Sequence, residues 1–103
     1  MALTIYGIPR SRAIRTLWMA HELAVPYTLV EVPPGADGSR KPEFLAINPN
    51  GHVPFIDDDG LVLWESMAIN LHLARKHGGP LGPATLNEDS LATMWTIWAA
   101  NEL

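Results

Sequence analysis

The run Val53-Pro54-Phe55-Ile56-Asp57-Asp58-Asp59-Gly60-Leu61-Val62-Leu63-Trp64-Glu65-Ser66 decides how the chain folds. Two short stretches of β-branched, aromatic and aliphatic residues flank an Asp-Gly pair, which tolerates the positive φ of a tight hairpin turn, so two antiparallel strands are predicted. From Glu65 onward Met67, Ala68, Ile69, Leu71, Leu73 and Ala74 make a broad apolar band. It predicts a helix buried on more than one side, running to Lys76-His77 and stopped by Gly78-Gly79-Pro80. The unit is β-β-α.

Working outward toward the N-terminus, Asn48-Pro49-Asn50-Gly51 is a turn by its chemistry, because Pro presets φ and Asn-Gly accepts a positive one. Pro42 to Ile47 predicts a short helix with Pro at its start, and Ala36 to Lys41 an exposed loop. Leu3-Thr4-Ile5-Tyr6 reads as a first strand ended by Gly7. From Ser11, the spacing of Ile14, Leu17, Trp18, Ala20, Leu23 and Ala24 predicts one buried helix face, ending near Ala24 before Pro26. Tyr27 to Val32 is a second strand, closed by Pro33-Pro34-Gly35. A β-α-β unit with a right-handed crossover follows.

On the other side, Gly78 to Leu86 is a Pro- and Gly-rich linker. Asn87 is the expected cap of a last helix whose first turn holds Glu88 and Asp89. Leu91, Met94, Trp95 and Trp98 form an apolar stripe that still runs at Leu103, so the helix reads as cut short and the stripe as partly uncovered. The whole order, βαβ-α-ββα plus one trailing helix, is an α/β fold: a mixed four-stranded sheet with helices on both faces, the thioredoxin-like arrangement.

Composition narrows the function. The 103 residues suffice for one compact domain, and 48% of them are hydrophobic. Seven Lys and Arg against eleven Asp and Glu give a charge of −4 with no basic run, which argues against a nucleic-acid partner. The absence of cysteine excludes disulfides, Cys-based zinc sites and protein thiol chemistry, so any sulfur must arrive with a ligand. No apolar stretch approaches the ~18 residues of a membrane span, and no leader pattern opens the chain, which leaves a cytoplasmic address as the expectation. The Asp57-Asp58-Asp59 run lacks the alternation of a calcium loop, and His21, His52, His72 and His77 include no i, i+4 pair. No metal is expected. A phosphate-cradling Gly loop, a dinucleotide fingerprint and a hydrolase motif are all lacking.

Four local features bear on chemistry, each with two readings. Val53-Pro54 is either a plain edge-strand proline or a cis bond that turns the Val53 N–H and C=O toward an extended peptide. Glu65-Ser66 is either an ordinary helix cap or an anion seat, with Ser66 for a ligand carboxylate and Glu65 for an ammonium. Arg10, Arg12 and Arg15 crowd the helix end where the dipole disfavours cations, so they either meet an anion or are simply solvated. Ser11 either caps its helix or aims its hydroxyl at a ligand thiolate. His52 is the one histidine adjoining these features.

Ile5-Tyr6-Gly7-Ile8-Pro9-Arg10-Ser11, Phe44-Leu45-Ala46-Ile47-Asn48-Pro49-Asn50-Gly51-His52-Val53-Pro54 and Leu63-Trp64-Glu65-Ser66-Met67-Ala68-Ile69 together resemble the N-terminal domain of glutathione transferases. The resemblance spans Leu3 to Lys76, and Asn87 to Leu103 is similar to the opening of that family's all-helical second domain. It implies a glutathione-binding domain over 1–78, a linker over 79–86 and a truncated helical domain over 87–103. It further implies a cytoplasmic detoxifying transferase, with glutathione as co-substrate, no metal, a hydrophobic electrophile and a homo-oligomer. In that reading Val53 pairs with the cysteinyl unit, Pro54 is the family's cis proline, and Glu65 and Ser66 hold the γ-glutamyl group. His52 and Lys41 approach the glycyl carboxylate, and Ser11 donates to the sulfur. Some branches use a Tyr near the end of the first strand, where Tyr6 stands; the Pro9-Arg10-Ser11 run selects Ser11. The branch with a Cys at this position is excluded. A non-catalytic module of this fold, or a fragment of a longer enzyme, are the alternatives.

Overall fold

The computed structural model describes residues 2–102. Strands β1 (Leu3–Gly7), β2 (Thr28–Glu31), β3 (Phe55–Asp58) and β4 (Leu61–Trp64) form one sheet in the order β2-β1-β3-β4. β1 runs parallel to β2 and antiparallel to β3, and β3 to β4, so the sheet is mixed as predicted. Helix α1 (Ala13–Glu22) crosses over between β1 and β2; α2 (Pro42–Leu45), α3 (Ser66–His77) and α4 (Leu86–Glu102) follow. The hairpin turn takes positive φ at Asp59 (51°) and Gly60 (93°), as its sequence demanded.

Because side chains alternate along a strand, the sheet carries two apolar faces. Leu3, Ile5 and Ile56 pack with Leu17 and Ala20 of α1 and with Ile69 and Leu73 of α3. On the opposite face Val32, Val53 and Phe55 pack with Tyr6, Val30, Phe44 and Ile47, which brings α2 onto the sheet. Tyr6 stacks on Phe55 with ring centroids 4.5 Å apart.

Several expectations are corrected. The buried face of α1 is Ala13, Thr16, Leu17 and Ala20; Ile14 and Trp18 are exposed. Apolar periodicity missed this because Thr16 is wholly buried and satisfied, its hydroxyl donating to Asn70 Oδ1 at 3.1 Å. The 36–41 loop is not uniformly exposed, since Ser39 is buried, donating to the Gly51 carbonyl and accepting from the Gly35 N–H. Asn87 does not cap α4. Thr85 does, accepting from the Glu88 N–H at 3.1 Å, while the Glu88 carboxylate accepts from the Ala84 N–H at 2.8 Å. Thr85-Leu86-Asn87-Glu88 is thus a variant of the capping box.

Helix α3 packs on the sheet and α1 through Ile69 and Leu73, while Met67, Leu71 and Ala74 border a groove shared with α4. What α4 offers in return is its small and polar side: Asp89, Ala92, Thr93 and Thr96. Arg75 clamps this seam, donating to both Asp89 carboxylate oxygens and to Thr93 Oγ1. Leu91, Met94, Trp95 and Trp98 therefore face away and are exposed. The predicted run of α4 to Leu103 ends outside the described residues.

At the far end of the hairpin, the buried Asp58 carboxylate lies 2.8 Å from both Lys76 Nζ and His72 Nε2 of α3, and Lys76 also lies 3.8 Å from Asp59. Burial pushes the Asp58 carboxyl up, but hydrogen bonds and charge from Lys76 and His72 outweigh it and hold it below its ordinary value. A carboxyl lowered in the folded state stabilises the fold above its unfolded value of about 3.9 and loses that contribution as pH falls through the folded value. Asp58→Asn should therefore lower stability by about 1–3 kcal/mol at neutral pH. It should also flatten the loss of stability below about pH 4, read from urea midpoints across pH.

Candidate functional site

The start of α1, the turn before β3, the β4–α3 junction and the end of α4 enclose a cleft of about 650 Å³, lined among others by Arg12, Arg15, His52, Val53, Pro54, Glu65, Ser66 and Met67. Three local devices bring these residues together. Gly7 lets the start of α1 approach β1: a Cβ there would stand 2.5 Å from Ala13 Cβ and 3.7 Å from Val53 Cβ. Asn48, fully buried, donates to the His52 carbonyl and accepts from the Asn50 N–H, both at 2.9 Å, which fixes the 48–52 turn beneath the cleft. The third device is the junction of β4 with α3.

There Glu65 takes φ 75°, ψ 109°, a region L-residues rarely adopt and that costs on the order of 1–3 kcal/mol. Its side chain makes no capping bond, so the cap reading of Glu65-Ser66 does not hold. The first N–H groups of α3 consequently have no side-chain acceptor from the cap residue, and they carry the positive end of the dipole. Ser66, buried, stands over them, and its Oγ accepts from Arg15 Nη1 at 3.4 Å. The Val53–Pro54 peptide is cis, and Val53 lies outside the ladder, whose last β1–β3 pair is Tyr6 with Phe55.

Other candidates stand elsewhere. Lys41 is exposed at the start of α2 and does not line the cleft, although its neighbour Arg40 lies against Gly51. Tyr6 is held between Phe44 and Phe55 in the core. Ser11 donates its hydroxyl hydrogen to the Ile8 carbonyl at 2.6 Å and accepts from the Ala13 N–H at 3.1 Å, so it serves the entry to α1 and is not among the cleft residues. The sequence reading missed Asn50, Met67, Ala99 and Ala100 in the cleft wall; the two alanines come from α4 and carry no signal of their own. Among the described residues no three His, Asp or Glu side chains converge as a metal site would need.

Residues 1–75 match the sequence profile of the glutathione S-transferase N-terminal domain. The chain belongs to the glutathione S-transferase family. Glutathione S-transferase 3 of Schizosaccharomyces pombe is 37% identical over 98 residues, covering 93% of this chain and 39% of that protein. A theta-class glutathione S-transferase from Xanthomonas axonopodis, solved with glutathione bound, superposes with TM-score 0.85 at 42% identity, over 97% of this chain and 49% of that one. Ure2p in complex with glutathione superposes with TM-score 0.84 at 28% identity, over 97% of this chain and 45% of that one. The chain thus spans less than half the length of these relatives. Its thioredoxin-like sheet and helices α1 to α3 are those of the glutathione transferase N-terminal domain. Among the described residues no helix is long and apolar enough to cross a membrane.

Proposed function

We propose that this chain holds glutathione in the cleft and stabilises its thiolate for attack on a hydrophobic electrophile, as the glutathione-binding part of a transferase. The observation that carries this is the opening of α3 into the cleft, with Glu65 and Ser66 beside the Val53–Pro54 bend. Ser66 and the free N–H groups of α3 would seat the γ-glutamyl carboxylate, Glu65 the ammonium, and the Val53 backbone the cysteinyl unit. His52 would face the glycyl carboxylate from the cleft wall, and Lys41, which stands outside that wall, would have to reach it from the start of α2. A free thiol of pKa about 8.5 is mostly protonated at pH 7, and lowering it by about two units takes about 2.7 kcal/mol. A hydrogen bond from Ser11, which requires its hydroxyl to turn from the Ile8 carbonyl to the sulfur, together with the start of α1 and the nearby arginines would supply energies of that order. The thiol proton leaves to solvent, the sulfur bonds to the electrophilic carbon, and the displaced group departs. The Pro9-Arg10-Ser11 run favours Ser11 over Tyr6 as the sulfur's donor.

The division into a binding domain over 1–78, a linker over 79–86 and the opening of a helical domain over 87–103 belongs to this reading, as do a cytoplasmic detoxifying role and a homo-oligomer. Exposure of Leu91, Met94, Trp95 and Trp98 supports either a second copy or further helices against α4. A second reading, a glutathione-binding module without turnover, is favoured by the engagement of the Ser11 hydroxyl with Ile8. Calorimetric titration with glutathione and thiolate absorbance against pH, on wild type and Ser11→Ala, separate them. Catalytic use of Ser11 raises the bound thiol pKa in the variant by about one unit or more, since a charge-assisted hydrogen bond is lost. Binding with no such change leaves the module, and no binding by wild type ends both readings.

A further inference from the structure

Resting on the glutathione reading above, we propose that Arg15 is a specificity-determining residue that selects a carboxylate at the head of α3. Two of the basic residues, Arg75 and Lys76, are paired with Asp89 and Asp58, whereas Arg15 makes no ion pair among the described residues. Its guanidinium instead stands 3.4 Å from Ser66 Oγ, at the first residue of a twelve-residue helix, where the dipole repels a cation. Left alone, that placement is unfavourable.

The main chain that carries the cation is held there by bonds that do not involve its charge. Asn70, one turn beyond Ser66 on the same face of α3, donates to the Arg15 carbonyl at 3.4 Å and accepts from Thr16 Oγ1 at 3.1 Å. Thr16 is wholly buried, so the core sets the α1–α3 register and the Arg15 backbone, and from there the exposed Arg15 side chain reaches Ser66. Ser66 is only 7% exposed, and its hydroxyl hydrogen has no acceptor among the described residues. An anion beside Ser66 would accept from that hydroxyl, from the α3 N–H groups and from Arg15 at once, which turns the repulsion into attraction. Glu65 lines the same cleft without pairing to Arg15, which leaves its carboxylate for a cation. The pair therefore matches an amino-acid head, and Arg15 reads its α-carboxylate.

The test titrates wild type, Arg15→Ala and Arg15→Lys with glutathione and with 4-aminobutyryl-cysteinyl-glycine, which lacks only that carboxylate. Wild type should prefer glutathione by about tenfold or more, the scale of a charge-assisted hydrogen bond. Arg15→Ala should bring the two peptides within about threefold by weakening glutathione alone, and Arg15→Lys should fall between, because an ammonium keeps the charge but not the fork. Equal losses for both peptides in Arg15→Ala would mark a merely structural residue, and unchanged discrimination would mark no role; either overturns the proposal. Should Arg15→Ala melt below the working temperature, Arg15→Lys decides, with undiminished discrimination and affinity counting against it. A wild type that takes neither peptide is a separate result, ending the glutathione reading and this inference with it.

Discussion

Replacing Phe55 by alanine is expected to lower the unfolding free energy by about 3–5 kcal/mol. The ring is fully buried, stacked on Tyr6 at 4.5 Å and set edge-on to Phe44 at 6.4 Å. Its neighbours cannot close over the gap: Val32 and Val53 are anchored at strand ends, and Tyr6 is tied into β1. Domains of this size are stable by about 5–15 kcal/mol, so the loss is a large share of the total. Denaturant midpoints by far-ultraviolet circular dichroism measure it; a shift below about 1 kcal/mol would mean that this face of the sheet contributes little, contrary to its packing.

Gly7→Ala should have the second largest effect, and it should reach the cleft. The added methyl would stand 2.5 Å from Ala13 Cβ, and Ala13 is buried and short, with no rotamer by which to yield. The start of α1 must therefore move away from β1 and Val53, at a cost of about 1–3 kcal/mol. That movement carries Arg12 and Arg15 with it, so affinity for glutathione should fall by about tenfold or more beyond any effect of partial unfolding. The compensating pair Gly7→Ala with Ala13→Gly restores the gap. It should recover part of the affinity, while retaining a stability deficit of about 1 kcal/mol from glycine in the helix and a further cost from an alanine held at the φ of 157° that Gly7 adopts. Full loss of affinity in the pair would show that the approach of α1 to Val53 is not what the cleft requires.

Much of the architecture was legible because its signals are local. The Asp59-Gly60 turn, the alternating strands and the Pro- and Gly-bounded helices each dictate one geometry, and their order leaves few topologies. The errors arose where a polar group is buried and satisfied. Thr16 with Asn70, and Ser39 with Gly51, sit inside because their partners are there, and hydrophobic spacing cannot register a partner distant in sequence. The start of α4 differs from its expected cap for a related reason: Asn ranks above Thr as a cap by propensity, yet the bonds that close the helix end are those of Thr85 and Glu88.

Within the cleft, His52, Val53, Pro54, Glu65 and Ser66 converge because one turn and one strand-to-helix junction place all five. Lys41 and Ser11 do not join them. A hydroxyl's direction is a tertiary choice between acceptors, and here Ile8 wins it. Arg12 and Arg15 were visible as an unexplained crowding of cations, yet only the packing of α1 on α3 relates Arg15 to Ser66.

The seam that seats the small side of α4 on α3 has a spectroscopic consequence. Trp95 and Trp98 are turned outward, and with Trp18 and Trp64 every indole of the chain is between 37% and 66% exposed. Intrinsic emission should thus be red-shifted and open to iodide already in the native state. The share from Trp95 and Trp98 should report whatever comes to cover the outer helix, while Tyr6 beside Phe55 is the chromophore set to sense melting of the core.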